Sequence, residues 1–467
     1  MKNIREECGI IAVYLKEEKE MGIIMYDGLM SIQHRGQDAN GFVIYNKGNL
    51  ERRVGLGLVS ETTKEEDLKI VGNIGIGHTR YPTTGRCKIE DVQPVQYKNI
   101  ALAHNGHVSN YIELRKELEE KGYEFRGTVD SEPFVYLIYE EMKKGKSIEE
   151  AVKILMEKTV GSYSVVAIIN GKLVIFRDPH AIRPLVMGKR DGEYCFGSES
   201  VIFDVLGFEY SGQIFGGELL IIDNGRIEKK EIIKKEQKNC MFEYVYFSRP
   251  DSIINDLSVN DVRRELGKIL AKEHPADADI VVPVPDTSRT AAMAFSESSG
   301  IPYDEGLIKN RYIGRTFIMM RQDKRREAVK RKLNPIKSVL EGKRIILIDD
   351  SIVRGTTMRE IIKMVRKAGA KEVHLRITCP PIKHPCFYGV DMPTYEELIA
   401  NNKEIEEIRK YLDVESLGYL SLDGLKKALG KNICTGCLNG EYFSEYVKGI
   451  AQKEKEKKGV FVGCSKC

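Results

Sequence analysis

The sequence has no long apolar run: nothing in it approaches the roughly 18 uncharged apolar residues that a membrane-spanning helix requires. Its first residues, Met1-Lys2-Asn3-Ile4-Arg5-Glu6-Glu7, have no apolar core of the kind a secretory signal carries. A cytoplasmic location with no membrane partner is expected. Charge of one sign is also missing. The 73 lysines and arginines stand against 69 aspartates and glutamates, a formal +4, and that balance gives no footing for a nucleic-acid partner. Internal repeats and low-complexity tracts are absent too, which excludes fibrous and repeat architectures. What is there is ordinary for a globular chain: 42% hydrophobic and 30% charged residues, too apolar for intrinsic disorder. At about 150 residues per domain, 467 residues make about three domains or two large ones, with ample chain to bury cores.

Cysteine is not scarce. Ten are present, and in a chain without an export signal they are expected reduced, catalytic or metal-bound rather than disulfide-paired. Four fall near the end as Cys434-Thr435-Gly436-Cys437 and Cys464-Ser465-Lys466-Cys467. By spacing alone, two C-x-x-C pairs read as a zinc site. The 26 residues between them nevertheless exceed the usual ribbon interval of roughly 15–20. Cys87, Cys195 and Cys379 sit in no motif and read as packing residues.

The pattern of elements changes along the chain. Gly9 to Tyr14, Gly41 to Tyr45 and Tyr163 to Ile169 read as short buried strands, and Lys172 to Arg177 follows across the hairpin signal Asn170-Gly171. Pro133 to Val160 has helical periodicity in two pieces, broken near Gly145. Hairpin-paired strands with interspersed helices favour a layered α+β sandwich. Beyond the charged stretch Lys229 to Lys238, strands at Asp279 to Val284, Arg344 to Ile348 and Glu372 to Thr378 alternate with helices at Thr287 to Ser298 and Thr356 to Lys367. That alternation reads as βαβ units on a parallel sheet. The boundary is expected between residues 230 and 255.

In the second half, Ile345-Ile346-Leu347-Ile348 ends in Asp349-Asp350, and Ser351-Ile352-Val353-Arg354-Gly355-Thr356-Thr357 then opens a helix. Ligands of open α/β sheets bind at the carboxyl ends of strands. N–H groups and hydroxyls at a helix start form an anion site, and paired carboxylates suit sugar hydroxyls or a hydrated magnesium ion. A capped strand–turn–helix supplies any one of these features alone; the whole order resembles the phosphoribosyl-pyrophosphate (PRPP) signature of type I phosphoribosyltransferases. The resemblance implies that Ser351 to Thr357 hold the 5-phosphate, while Asp349 and Asp350 hold the ribose hydroxyls and Mg2+. Val284 to Thr290 is similar to that family's pyrophosphate loop, with Thr287 where a magnesium-facing serine is usual and Arg289 as a surface charge or a clamp. The basic segment from Lys309 to Lys332 resembles the loop that closes over PRPP.

In the first half, Cys8-Gly9 reads as a buried strand until it is set beside His78 to Thr83, Ala103-His104-Asn105-Gly106-His107 and Thr128-Val129-Asp130-Ser131-Glu132. Together with Ser31 to Asp38 these resemble the glutaminase domain of class II amidotransferases, which has the αββα N-terminal nucleophile hydrolase fold. A thiol with pKa near 8.5 needs a base, and an α-amino group with pKa near 8 is one. Removal of residues 1–7 as a propeptide puts both on Cys8. The resemblance then implies Arg80 on the glutamine carboxylate, Asp130 on its amino group, and Asn105 with the Gly106 N–H as the oxyanion hole. His34, His78 and His104 read as structural hydrogen-bonders.

The two halves in this order resemble the glutamine PRPP amidotransferase family. The implied layout is 1–7 propeptide, 8–235 glutaminase, 236–442 phosphoribosyltransferase and 443–467 a charged tail with a terminal C-x-x-C. The implied reaction uses glutamine and PRPP and yields 5-phosphoribosylamine, glutamate and pyrophosphate, opening purine synthesis. Purine nucleotides as feedback inhibitors and a homotetramer are implied as well. Cys240, Cys386, Cys434 and Cys437 match the [4Fe–4S] ligands of one branch of the family, a set incompatible with the zinc pairing. Another class II amidotransferase, or a PRPP-binding regulator without activity, remain the rival readings.

Overall fold

The structure is a computed structural model, and it describes residues 8–81, 88–310 and 332–456. The expected propeptide, Cys87, the bulk of the basic segment, and Cys464 with Cys467 lie outside the described residues.

The first half is built on two antiparallel sheets laid face to face. Strand Gly9–Glu20 lies inside the seven-stranded one, between Glu193–Gly197 and Val71–Arg80. Its residues alternate as a pleated strand must. Ile10, Ala12 and Tyr14 meet Ala101, Ala103, Val166 and Ile168 of the second sheet. Ile11, Val13 and Leu15 face the other way, onto Met21, Met25 and Leu29 of helix Met21–Ser31. Burial on both faces explains the unbroken apolar run. The six-stranded sheet repeats this logic. Leu102, Val165 and Phe176 point outward beneath helices Tyr111–Glu120, Glu132–Lys143 and Ile148–Lys158. The result is the expected four-layer αββα sandwich.

Local signals set its turns. Asn170 (φ 51°) and Gly171 (φ 76°) take the paired left-handed conformations of a two-residue hairpin. The helical stretch breaks at Gly145 (φ 84°) and restarts at Ser147, whose hydroxyl accepts from Glu150 N while Ser147 N donates to the Glu150 carboxylate.

The second half is an α/β unit. Strands Ile280–Pro283, Arg344–Asp349, Glu372–Ile377 and Ser416–Tyr419 lie parallel in that order, with helices Arg289–Ser299 and Thr356–Lys367 following the first two. The pair Leu307–Lys309 and Leu333–Pro335 closes the base of the basic segment. Strand Asn239–Cys240 runs parallel to Ile433–Cys434, with Cys240 opposite Cys434. Late and early chain are thus stitched together between the halves. Among the described residues no helix is long and apolar enough to cross a membrane.

Candidate active site

Cys8 stands at the mouth of the strand that begins at Gly9. Gly9 pairs with Thr79, which sets Cys8 beside Arg80, and its thiol donates to Tyr81 O at 4.0 Å. Arg80 Nη1 donates to Asp91 O, while its Nε is buried without a hydrogen bond. Asn105 and Gly106 lie on strand Ile100–Val108 of the facing sheet, opposite Ser164 and Tyr163. Gly106 has φ 149°, and a Cβ there would fall 2.0 Å from Ser162 O, so only glycine fits. Asp130 Oδ2 accepts from Val108 N at 2.9 Å, with His107 Nδ1 at 3.7 Å and His104 Nε2 at 3.8 Å.

Ser198, which the sequence reading missed, joins the two walls. Its hydroxyl accepts from Ile10 N at 3.1 Å and from Asn105 Nδ2 at 3.5 Å. The histidines divide. His34 bonds Glu199 at 2.8 Å, as expected. The ring nitrogens of buried His78 and His104 make no hydrogen bond of normal geometry, contrary to expectation. Burial holds both imidazoles below the ordinary range, so they are neutral spacers. Both rings stand in the sandwich interior, and the carboxylate of Asp130 lies 3.8 Å from His104 Nε2, beyond hydrogen-bond reach.

The second site sits at the carboxyl end of Arg344–Asp349. Thr287 Oγ1 donates to Asp350 Oδ2, Ser351 Oγ donates to Asp350 Oδ1 at 2.6 Å, and Ser288 Oγ to Asp349 Oδ1 at 3.2 Å. Burial, and then the neighbouring Asp350, push the Asp349 carboxyl well above the usual range. Burial raises Asp350 too, against the pull of Ser351, Thr287 and Arg263. Arg263 is a second residue that sequence reading missed. It is held by the carbonyls of Tyr244 (2.8 Å) and Ser248 (2.8 Å). Gly355 (φ 75°) turns the chain into helix Thr356–Lys367, and Arg354 is paired with Glu397 at 3.0 Å. Arg289 is held by Glu305 at 3.1 Å and Asp286 at 3.4 Å.

A small cavity between the halves is lined by Cys240, Cys386, Cys434 and Cys437, with Met241 and Phe242 among its apolar walls. Burial and the neighbouring sulfurs raise Cys437 well above the ordinary thiol range, and push Cys434 up to about 12. Among the described residues no three Cys, His, Asp or Glu side chains converge as ligands of one ion do. Cys195 and Cys379 are buried, as packing residues should be. The chain after Cys386 docks on the glutaminase side. Ser109 Oγ donates to Phe387 O at 2.9 Å and Ser162 Oγ to Tyr388 O at 2.5 Å. A Cβ on Gly389 would lie 3.2 Å from the Gly106 carbonyl carbon.

A sandwich with a cysteine at its strand mouth, joined to a parallel sheet with an acidic pair above a phosphate-type loop, defines a class: glutamine amidotransferases that deliver to a phosphoribosyl acceptor. Known proteins agree in both parts. The glutamine amidotransferase domain family matches residues 83–204, and the phosphoribosyl transferase domain family matches residues 252–402. The amidophosphoribosyltransferase of Methanothermobacter thermautotrophicus is 47% identical over 97% of both chains. That of Methanocaldococcus jannaschii is 48% identical over 94% of this chain and 98% of its own. The glutamine PRPP amidotransferase structure from Bacillus subtilis, complexed with ADP and GMP, superposes with a TM-score of 0.87 at 40% identity, over 94% of this chain and 98% of its own.

The chain belongs to the amidophosphoribosyltransferase family. It is a glutamine-dependent pentosyltransferase that uses glutamine and PRPP in the first step of purine biosynthesis. The rival class II amidotransferases and the inactive regulator fall away, because this chain matches both domain families and its near-full-length relatives are amidophosphoribosyltransferases.

Proposed function

We propose that Cys8, freed as residue one by loss of residues 1–7, is the glutaminase nucleophile. Its α-amine takes the thiol proton, and the sulfur attacks the glutamine amide carbon. Arg80 receives the α-carboxylate and Asp130 the α-amino group. The Asn105 Nδ2 and the Gly106 N–H face the oxyanion of the tetrahedral intermediate. Collapse releases ammonia and leaves a thioester that water cleaves to glutamate. Ammonia then attacks C1 of PRPP, and pyrophosphate leaves. Asp349 and Asp350 hold the ribose hydroxyls, and Ser351, Ile352, Val353, Arg354, Gly355, Thr356 and Thr357 cradle the 5-phosphate. The working layout is glutaminase 8–235, transferase 236–442 and tail 443–467.

The observation that carries this reading is the meeting of Cys8, Arg80 and Asn105, from three distant segments, on two facing sheets bridged by Ser198. Intact-mass analysis of active enzyme should show the loss of seven residues. Cys8→Ala should end glutamine use and leave synthesis from added ammonia. Glutaminase activity with Met1 retained would overturn the processing step.

Two groups fit residues already described. Mg2+ suits the raised, mutually repelling Asp349 and Asp350 with the Thr287 hydroxyl beside them. It usually binds through one or two carboxylates plus substrate phosphates, and when bound it neutralises the departing pyrophosphate. A [4Fe–4S] cluster suits Cys240, Cys386, Cys434 and Cys437. Four thiols around one cavity, Cys240 and Cys437 buried and Cys386 and Cys434 partly so, repel as thiolates unless a cationic core offsets them, and Tyr388 N donates to Cys386 Sγ at 3.3 Å, the kind of contact that tunes such sulfurs. The cluster's contribution would be structural, tying Cys240, between the halves, and Cys386 to the late segment that holds Cys434 and Cys437. Anaerobically purified protein should be brown with about four irons per chain, and Cys386→Ser should bleach it. Colourless protein with one zinc decides for the other pairing. Purine nucleotides, as in the ADP and GMP complex of the Bacillus relative, a homotetramer and a cytoplasmic location complete the proposal.

A further inference from the structure

The halves also meet on a buried ion network that the chemistry above leaves unused. Arg35, Arg183, Glu199 and Glu243 are each no more than 1% exposed. Arg35 Nη1 donates to Glu199 Oε1 at 2.6 Å and to Glu243 Oε2 at 2.9 Å, and Nη2 to Glu243 Oε1 at 2.8 Å. Arg183 Nη1 reaches the same Glu243 oxygen at 3.3 Å. Glu243 opens the turn Glu243–Phe247 that leads into the transferase half, whereas Arg35 lies in the loop before strand Ala39–Asn46 of the sandwich. The remaining guanidinium nitrogen is the informative one: Arg35 Nε donates to the Cys8 carbonyl at 3.1 Å.

We propose that Glu243 is a positioning residue of the glutaminase: its carboxylate fixes the Arg35 fork, and Arg35 Nε fixes the carbonyl of Cys8. The inference rests on Cys8 being the nucleophile. A nucleophile that is residue one has no upstream peptide, so its own carbonyl is the backbone group nearest the amine. Releasing that carbonyl lets the residue swing, carrying thiol and amine away together, and a misplacement of about 1 Å costs about 100-fold in rate. A network that only joined two halves would need no donor on the catalytic residue. The planar fork is required, because three donors must point in fixed directions at once.

The test uses the mature full-length enzyme with two assays, phosphoribosylamine formation from glutamine and from added ammonia. In Glu243→Gln the glutamine-dependent kcat should fall about tenfold or more, with the ammonia-dependent rate within about twofold of the parent. Alkylation of Cys8 by iodoacetamide should change in rate alongside the glutamine kcat. Arg35→Lys, which keeps the buried charge but not the fork, should show the same split, and it decides the matter if Glu243→Gln fails to fold. Equal loss in both assays, or an unchanged glutamine rate, overturns the relay. Cys8→Ala run alongside separates the two readings. Glutamine use surviving there overturns the nucleophile assignment and the relay with it, whereas a parent-like Glu243→Gln overturns the relay alone.

Discussion

At the scale of single residues, the proposed hold of Asp349 and Asp350 on PRPP and Mg2+ comes at a cost in stability. Burial and mutual repulsion raise the folded pKa of Asp349 above its unfolded value. The folded state therefore holds the extra proton, and stability falls as pH rises through the window between the two values. Asp349→Asn should raise the thermal midpoint of the metal-free enzyme, worth about 1–2 kcal/mol, while PRPP turnover drops severely. Calorimetry of magnesium–PRPP binding from about pH 7 to about pH 5 should show affinity falling in the parent, because protons displace the cation. The slope should flatten in Asp349→Asn. These acids were legible in the sequence because their motif is contiguous. Ser198, Glu243 and Arg263 were not: each acts on a residue far away in the chain.

At the scale of elements, the turn into Thr356–Lys367 depends on one glycine. At φ 75° a side chain is strained, and a Cβ on Gly355 would lie 2.8 Å from Ile399 Cδ1. Gly355→Ala should cost about 1 kcal/mol of strain and raise the KM for PRPP, leaving Cys8 alkylation at the parent rate. Steady-state kinetics beside alkylation rates check both. Most elements could be read from period and punctuation, since the Asn170-Gly171 hairpin and the Gly145 break are local. Strand Gly9–Glu20 runs past its expected end at Tyr14 because Lys19 and Glu20 pair with Gly72 and Val71 across an irregularity. Its exposed, charged end carries no alternation to read. The order of strands in each sheet is set by partners brought from elsewhere, and no local signal announces it.

At the scale of the whole molecule, the buried network makes the halves acid-sensitive together. Burial alone would raise Glu199 and Glu243, but His34 and Arg35 outweigh it at Glu199, and Arg35 and Arg183 at Glu243, so both carboxyls end lower than usual. Such groups stabilise fully above the unfolded carboxylate pKa of about 4.3, and that support is lost progressively as pH falls from there through the lower folded values. Thermal midpoints should drop on acidification below pH about 4, less steeply in Glu199→Gln, with near- and far-ultraviolet dichroism lost in one transition. The docking of Phe387 and Tyr388 on Ser109 and Ser162, and of Tyr446 on Glu113, has a consequence in time. Ribosomes add about 5–20 residues per second, so the chain that supports the Gly106 wall emerges some tens of seconds after Ser162. A nascent chain in that interval lacks the Phe387 and Tyr388 contacts on Ser109 and Ser162. The Gly106 wall is therefore completed only after the acidic pair Asp349 and Asp350 of the second half has been synthesised.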